Sequence, residues 1–198
     1  MSDAVDQATI IAFALTSLRE KLATVRAGEV PVVMPESAAE VTSAAGDSGA
    51  AIVVSLYRLA ESRLQNAVHQ IQRRETDDEG NEFEYLTRPA TLLELSVVVA
   101  ALGADTLARA GLLGEVIRAV KDDPFTPVGE YDWAGNDGAP LLWELSPPGV
   151  EVEEGVLAAL GLPRNGAVPM RTIVGIDSAV KEGFKRVEER RVTAFKKH

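Results

Sequence analysis

One stretch of the sequence, TLLELSVVVAALGAD at 91–105, constrains the fold more than any other. Its alternating pattern predicts a strand over 91–101 that leads directly into a helix. Gly103 ends the strand, and Asp105 is placed to cap the helix because its carboxylate accepts hydrogen bonds from the first free backbone N–H groups. We expect one face of the strand to pack on that helix and to consist of Leu93, Leu95, Val97 and Val99.

Other segments carry the same kinds of pattern. Apolar spacing predicts an N-terminal helix over 5–26, with Ile11, Leu15, Leu18, Leu22 and Val25 on one face. The helix after Asp105 carries the stripe Leu113, Val116, Ile117 and Val120. A shorter helix is predicted within 149–163, and strands are predicted at 51–59, 139–147 and 167–178. A short extended piece at 29–35 suits an edge strand or a loop.

These elements predict one compact domain of the α/β (α+β) class over 1–178, with a mixed β-sheet flanked by helices. A basic helical arm is predicted over 179–198, where Val180, Phe184, Val187 and Phe195 keep helical spacing. Three polar segments, 36–49, 75–88 and 124–140, are predicted to be loops, with a possible short hairpin near the second and an irregular hairpin as the alternative for the third.

Composition excludes several classes of protein. The net charge of −10 opposes general binding to a phosphate backbone, so no nucleic-acid partner is expected. The apolar run near the N-terminus is too short to span a bilayer, so no membrane insertion is expected. The chain contains no cysteine, which excludes disulfides and thiolate sites and is compatible with a cytoplasmic location, the location that we expect.

No catalytic, cofactor-binding or metal-binding residue is predicted. The two histidines, His69 and His198, accompany no nucleophile elbow, P-loop or dinucleotide fingerprint. Two acidic runs contain hard oxygen ligands, but neither has the spacing of a calcium loop, and solvated loops explain them more simply. These runs are Asp77, Asp78, Glu79, Glu82 and Glu84, and Asp132, Asn136 and Asp137.

Charge is segregated in the C-terminal segment. Residues 179–198 contain seven basic and three acidic side chains, a local charge of +4 on an acidic chain. Either this segment is a solvated helix packed on its own domain, or it is an arm that docks on an acidic surface of a neighbouring subunit or partner. The candidate interface residues are Phe184, Lys185, Arg186, Arg190, Arg191, Phe195, Lys196 and Lys197.

An ordered set of segments resembles a known family. VVSLYRLAESRLQNA, then RPATLLELSVVVAALGADTLARAGLLGEVIRAVKDDP, then LLWELSPPGVEVEEGVLAALGLP are similar to the cap, or tail-terminator, proteins of contractile injection systems. These systems are phage-tail-like particles that drive a tube through a target envelope. The similarity extends from about residue 8 to about residue 178.

The resemblance implies a structural protein that is not an enzyme and needs no cofactor. It implies a homohexameric ring that ends the inner tube, stops its polymerisation and anchors the distal end of the sheath. Its partners would be further copies of itself, the sheath protein and the inner tube protein. Reasoning from the residues alone leaves an alternative open, a small-ligand or regulatory α/β binding domain without catalysis.

Overall fold

The computed structural model describes residues 8–44, 49–62, 71–76, 80, 82–87, 90–131, 133, 136, 138–147, 152–177 and 181–183. Its helices are α1 (Ala8–Leu22), α2 (Ala38–Ala44), α3 (Thr106–Asp122) and α4 (Glu154–Ala159). Its strands are β1 (Val32–Val33), β2 (Ala50–Glu61), β3 (Ile71–Thr76), β4 (Glu82–Thr87), β5 (Thr91–Gly103), β6 (Phe125–Thr126), β7 (Leu141–Leu142), β8 (Glu144–Leu145), β9 (Ala167–Ile176) and β10 (Lys181–Gly183).

The predicted strand at 91–101 is confirmed as β5, the centre of a five-stranded sheet. The sheet order is β1-β2-β5-β9-β8. β5 pairs antiparallel with β2 on one side and with β9 on the other, and β1 adds a short parallel edge to β2. The sheet is therefore mixed, and the fold class predicted from the sequence is confirmed.

One face of this sheet, the α1/α3 face, is covered by α1 and α3 and holds the main core. Leu95, Val97 and Val99 point into this core and have no exposed surface, as predicted. The predicted helix stripes are confirmed in part: Leu18, Leu22 and Val25 are buried, as are Val116 and Val120 of α3. Ile11, Leu15 and Leu113 lie instead at the flanks of the buried stripes, to which Ile10, Ala14 and Leu112 also belong.

The start of α3 is as predicted. Asp105 has extended backbone angles, and its Oδ1 accepts a hydrogen bond of 2.8 Å from the Ala108 N–H. This is the N-cap geometry that satisfies a donor left free by the first helical turn. The helix ends at Asp122, two residues before Pro124.

The opposite face of the sheet, the α2/α4 face, is covered only in part. α2 and α4 bury a smaller cluster there, made of Val41, Val53, Val98, Ala100, Leu157 and Leu162. α2 falls inside the segment 36–49 that the sequence predicted as a loop, and this prediction was wrong for Ala38–Ala44. Ser37 and Glu40 bracket its first turn, and Glu40 accepts a hydrogen bond of 3.0 Å from the Glu36 N–H.

Three strands form a second sheet, which we call the β-ribbon, in the order β10-β4-β3. The three central strands of the main sheet lie in the order β2-β5-β9, and their neighbours along the chain lie in the same order, β3-β4-β10, in the ribbon. β2 precedes β3, β4 precedes β5, and β9 precedes β10 along the chain. The loop predicted at 75–88 is therefore largely a hairpin, since β3 and β4 pair from Ile71↔Thr87 to Thr76↔Glu82.

The predicted C-terminal helix is wrong at its beginning. Lys181–Gly183 form β10, which pairs antiparallel with Thr87, Leu86 and Tyr85 of β4. The edge of β4 provides hydrogen-bond partners for the backbone N–H and C=O groups of this segment, which therefore does not need the hydrogen bonds of a helix. Residues 184–198, which include the rest of the predicted arm, lie outside the described residues.

The described part of the segment 124–140 is packed on the body. Phe13 and Tyr131 stack with ring centroids 4.2 Å apart, and Trp133 is buried. The Trp133 ring occupies the place of a side chain at Gly175, where a Cβ would lie 2.1 Å from the indole Cδ1. The predicted strand at 139–147 is split into β7 and β8 on either side of buried Trp143.

Candidate interaction surfaces

The described residues hold no arrangement suited to metal chemistry. No group of three or more His, Cys, Asp or Glu side chains among them could hold a metal ion. Of the two acidic runs, Glu82 and Glu84 lie on β4, and Asn136 donates through its Nδ2 a hydrogen bond of 2.7 Å to the Ala139 carbonyl, which closes a turn. Asp77, Asp78, Glu79, Asp132 and Asp137, with both histidines, lie outside the described residues.

Among the described helices, none is both long enough and apolar enough to cross a bilayer.

All eight interface residues predicted from the sequence lie outside the described part of the chain. The structure does describe the strand that leads to them. Lys181 pairs with Thr87 near the body, and Gly183 pairs with Tyr85 nearer the ribbon tip, where β3 and β4 are joined. The chain therefore enters the segment 184–198 while running away from the main sheet.

The β-ribbon offers backbone edges as well as this starting point. Among the described residues, β3 and β10 pair with β4 and with no strand of the main sheet. In the part of the chain that is described, no strand pairs with the outer edge of β3. Unpaired strand edges with exposed N–H and C=O groups are sites where another chain can add a strand.

A groove lies beside β1, the parallel edge of the main sheet. It has a volume of about 460 Å³ and runs between β1 and α2. Five of its lining residues are apolar and three are polar: Val32, Val33, Met34, Pro35 and Ala44, with Arg19, Glu40 and Ser43. No sequence pattern announced this groove, because it depends on α2, which the sequence analysis assigned to a loop.

Arg19 controls access to the backbone of β1. The Pro31 carbonyl accepts a hydrogen bond of 2.9 Å from the Ile52 N–H, so the Val32 carbonyl points away from β2. The Arg19 guanidinium Nε donates to that carbonyl over 3.3 Å. The outward acceptor of β1 is therefore already bonded, and a charged side chain covers this edge.

The uncovered end of the α2/α4 face carries a charge network. Arg171 on β9 lies 3.6 Å from Glu94 on β5 and 3.2 Å from Glu144 on β8. About a third of each of the Arg171 and Glu94 side chains is exposed. Ion pairs that remain this accessible contribute little to stability, so this end of the sheet suits contacts with a polar partner better than core packing.

A small apolar patch lies on the two-stranded sheet β6-β7. Phe125 and Leu142 are paired directly across these strands, and 53% and 40% of their surfaces are exposed. Lys21 fixes the chain just before the patch, because its ammonium donates to the Asp123 carboxylate at 2.7 Å and to the Phe125 carbonyl at 3.0 Å. These hydrogen bonds link the start of the patch to the end of α1.

One pair of charged side chains, Arg26 and Glu115, lies at a corner of the α1/α3 face and shifts the pKa values of both its members. Arg26, whose φ of 51° is unusual for a residue other than glycine, donates two hydrogen bonds of 2.9 and 3.0 Å to Glu115. This hydrogen-bonded pairing lowers the pKa of Glu115 and raises the pKa of Arg26. The pair connects the turn after α1 to α3, and its role is structural.

Comparison with protein families decides which group of proteins the chain represents. Residues 9–148 match the sequence model of the Pvc16 N-terminal domain family. The chain belongs to this family. The matched range of this Pvc16 N-terminal domain runs from α1 through β8 and includes the β3-β4 hairpin, α3 and the groove beside β1.

Solved structures agree with the family match. The sheath/tube terminator of PVC, an extracellular contractile injection system solved in the extended state, matches with a TM-score of 0.61 and 15% sequence identity over 95% of this chain. The tube-terminating cap of the anti-feeding prophage matches with a TM-score of 0.59 and 14% identity over 92% of this chain. No curated protein matches the chain.

The present chain spans less than two thirds of each solved neighbour, 64% of the PVC terminator and 61% of the anti-feeding prophage cap. At these identities the match establishes a shared fold. β9 and β10 lie beyond the residues of the family match.

Proposed function

We propose that this protein is a structural cap, or tail terminator, of a contractile injection system. Six copies form a ring that ends the inner tube and anchors the distal end of the sheath. The particle assembles in the cytoplasm, and the cap needs neither a cofactor nor a nucleic-acid partner. The observation that carries this proposal is the match of nearly the whole chain to a sheath/tube terminator and to a tube-terminating cap.

The described surfaces support a structural role. The main sheet is a firm body, because β5 is paired along most of its length on both sides and packs under α3. The ribbon, the groove and the charge network are arranged around that body. A ring subunit must meet its neighbours through two different surfaces, and a body with several distinct exposed surfaces meets this requirement.

Removal of the protein from a particle-producing cell tests the proposal. We expect tubes of irregular length and sheaths that detach or contract early, since nothing would stop polymerisation or hold the distal sheath. Electron microscopy of purified particles measures both effects, and re-expression of the full chain is the control. Particles of normal length with attached sheaths would overturn the proposed function.

The ring is tested separately by native mass spectrometry of the purified protein and of isolated cap assemblies. We expect a species with six times the mass of one chain. A chain that stays monomeric even in isolated particles would contradict the ring.

The alternative of a small-ligand domain has weaker support. Sites for small molecules are concave and enclose most of their ligand. The groove beside β1 is an open surface feature, and the Glu40 carboxylate in it already accepts hydrogen bonds from Glu36 and Ser37.

A further inference from the structure

We propose that the groove beside β1 receives the C-terminal arm of a second copy of this chain, with Phe195 in the groove and Lys196 and Lys197 against the carboxylates of Glu36 and Glu40. The second copy is the neighbour in the proposed ring, so this occupant depends on the proposed function. This contact joins one subunit of the ring to the next.

The groove has the apolar floor that an aromatic anchor needs. Val32, Val33 and Pro35 line it together with Met34, which keeps 39% of its surface exposed. Its volume of about 460 Å³ is ample for one aromatic side chain. Aromatic residues that fill such pockets supply a large part of the binding energy at protein interfaces.

The surroundings of the groove are acidic. The turn that follows α4 lies against the start of α2, since a Cβ on Gly161 would be 3.3 Å from the Ala38 Cβ. Residues 33–44 and 152–163 contain no Lys or Arg. They carry four exposed carboxylates, Glu36, Glu40, Glu153 and Glu154.

Two positively charged side chains belong to the same region, but the four carboxylates outnumber them. Arg19 lies in the groove with its Nε bonded to the Val32 carbonyl, and Arg164 follows α4 in the sequence. Residues 184–198 carry six basic and two acidic side chains, so the charges of the arm and of this surface are complementary.

The direction of β10 favours a neighbour over the parent body. Because Gly183 lies toward the ribbon tip, the arm starts by moving away from its own groove. The fifteen residues after Gly183 span at most roughly 50 Å when fully extended. That reach is enough to cross from one small domain to the next.

Arg19 also determines how the arm binds. Because it bonds the outward carbonyl of Val32, strand addition to β1 would first have to displace it. The arm therefore binds through side chains, with an apolar anchor between charged contacts.

Engineered cysteines test the contact in the full chain, which contains no cysteine of its own. Met34→Cys and Phe195→Cys variants are co-expressed and oxidised, and two-chain products are separated on a non-reducing gel. We expect a disulfide between the two variants. Leu107→Cys, at an exposed apolar position on α3, replaces Met34→Cys as the matched control and is expected to link poorly.

Charge exchange tests the specificity of the contact. Glu36→Lys, placed in the Met34→Cys chain, should lower the yield of the disulfide about fivefold, the effect of a partly exposed ion pair. Lys196→Glu in the Phe195→Cys chain should restore the yield. Glu36 is the suitable position because only its backbone N–H bonds to Glu40, so the start of α2 is preserved.

Each outcome is distinct. No disulfide above the Leu107→Cys control, in a preparation that forms rings, would overturn the inference and leave the proposed function standing. A single-chain disulfide in the double variant Met34→Cys, Phe195→Cys would show that the arm returns to its own groove, which also overturns it. A two-chain disulfide without any ring would uphold the contact and contradict the proposed ring.

Discussion

The two faces of the main sheet are built differently although they share the same strands. The α1/α3 face is covered along α1 and α3 and buries residues such as Leu18, Leu95 and Val116 completely. The α2/α4 face has a small cluster under two short helices, and its far end presents Glu94, Arg171 and Glu144. We infer that the first face provides stability and that the second is free to meet partners.

Truncation of one leucine on each face gives the largest effect and tests this division directly. Leu95→Ala should lower the free energy of unfolding by about 2–5 kcal/mol, because a fully buried side chain leaves a cavity between β5 and the helices. Leu157→Ala should cost less, since α4 has six residues and can close over the space.

Urea denaturation followed by circular dichroism measures both variants, with the midpoint compared at an unchanged slope. An equal or larger loss for Leu157→Ala would mean that the α2/α4 face is also core, and the comparison between the faces would fail.

A second prediction concerns the segment 124–140, which the sequence predicted to be a loop. Gly175→Ala should destabilise the protein by about 1–3 kcal/mol, because the new Cβ would overlap the Trp133 ring and force it to move. Intrinsic tryptophan fluorescence reports the displacement, and thermal unfolding reports the cost. A neutral effect would show that the segment around Trp133 leaves the body easily and is available as a contact surface.

Gly111→Ala is the matched control. Nothing lies within 4 Å of a Cβ at this position in α3, so alanine should be accommodated and should favour the helix by up to about 1 kcal/mol. The same substitution therefore has opposite signs at two glycines, according to what surrounds each one.

Local signals explain which elements the sequence predicted. β5 and α3 were found because alternation, a stop at Gly103 and a cap at Asp105 all lie within a few neighbouring residues. α2 was missed because its small residues give no clear stripe, although Ser37 and Glu40 form the spacing of a capping box and could have identified it.

Other features depend on contacts between distant parts of the chain. The strand β10 exists because β4 offers an edge, and the fit of Trp133 on Gly175 is visible only after folding. The groove beside β1 joins residues of α1, β1 and α2 and could not be predicted once α2 was assigned to a loop. The family resemblance was confirmed by the family match, while the interface residues from Phe184 to Lys197 remain predictions.

The smallest effect is expected from the Arg26–Glu115 pair, at the corner of the α1/α3 face. Its hydrogen bonds lower the pKa of Glu115, so the folded state is favoured above the ordinary carboxyl pKa. That contribution disappears as the pH falls through the lowered pKa of the folded state. Glu115→Gln should therefore be slightly less stable than the wild type at neutral pH and should converge with it in acid.

Thermal unfolding of both proteins between neutral and acidic pH measures this difference. Arg26→Gln, and the double variant with Glu115→Gln, complete a mutant cycle that isolates the pair. Because 40% and 38% of the two side chains are exposed, we expect the coupling to be a small fraction of the loss at Leu95. A coupling as large as that loss would mean that the covered face depends on its charged corner as much as on its apolar core.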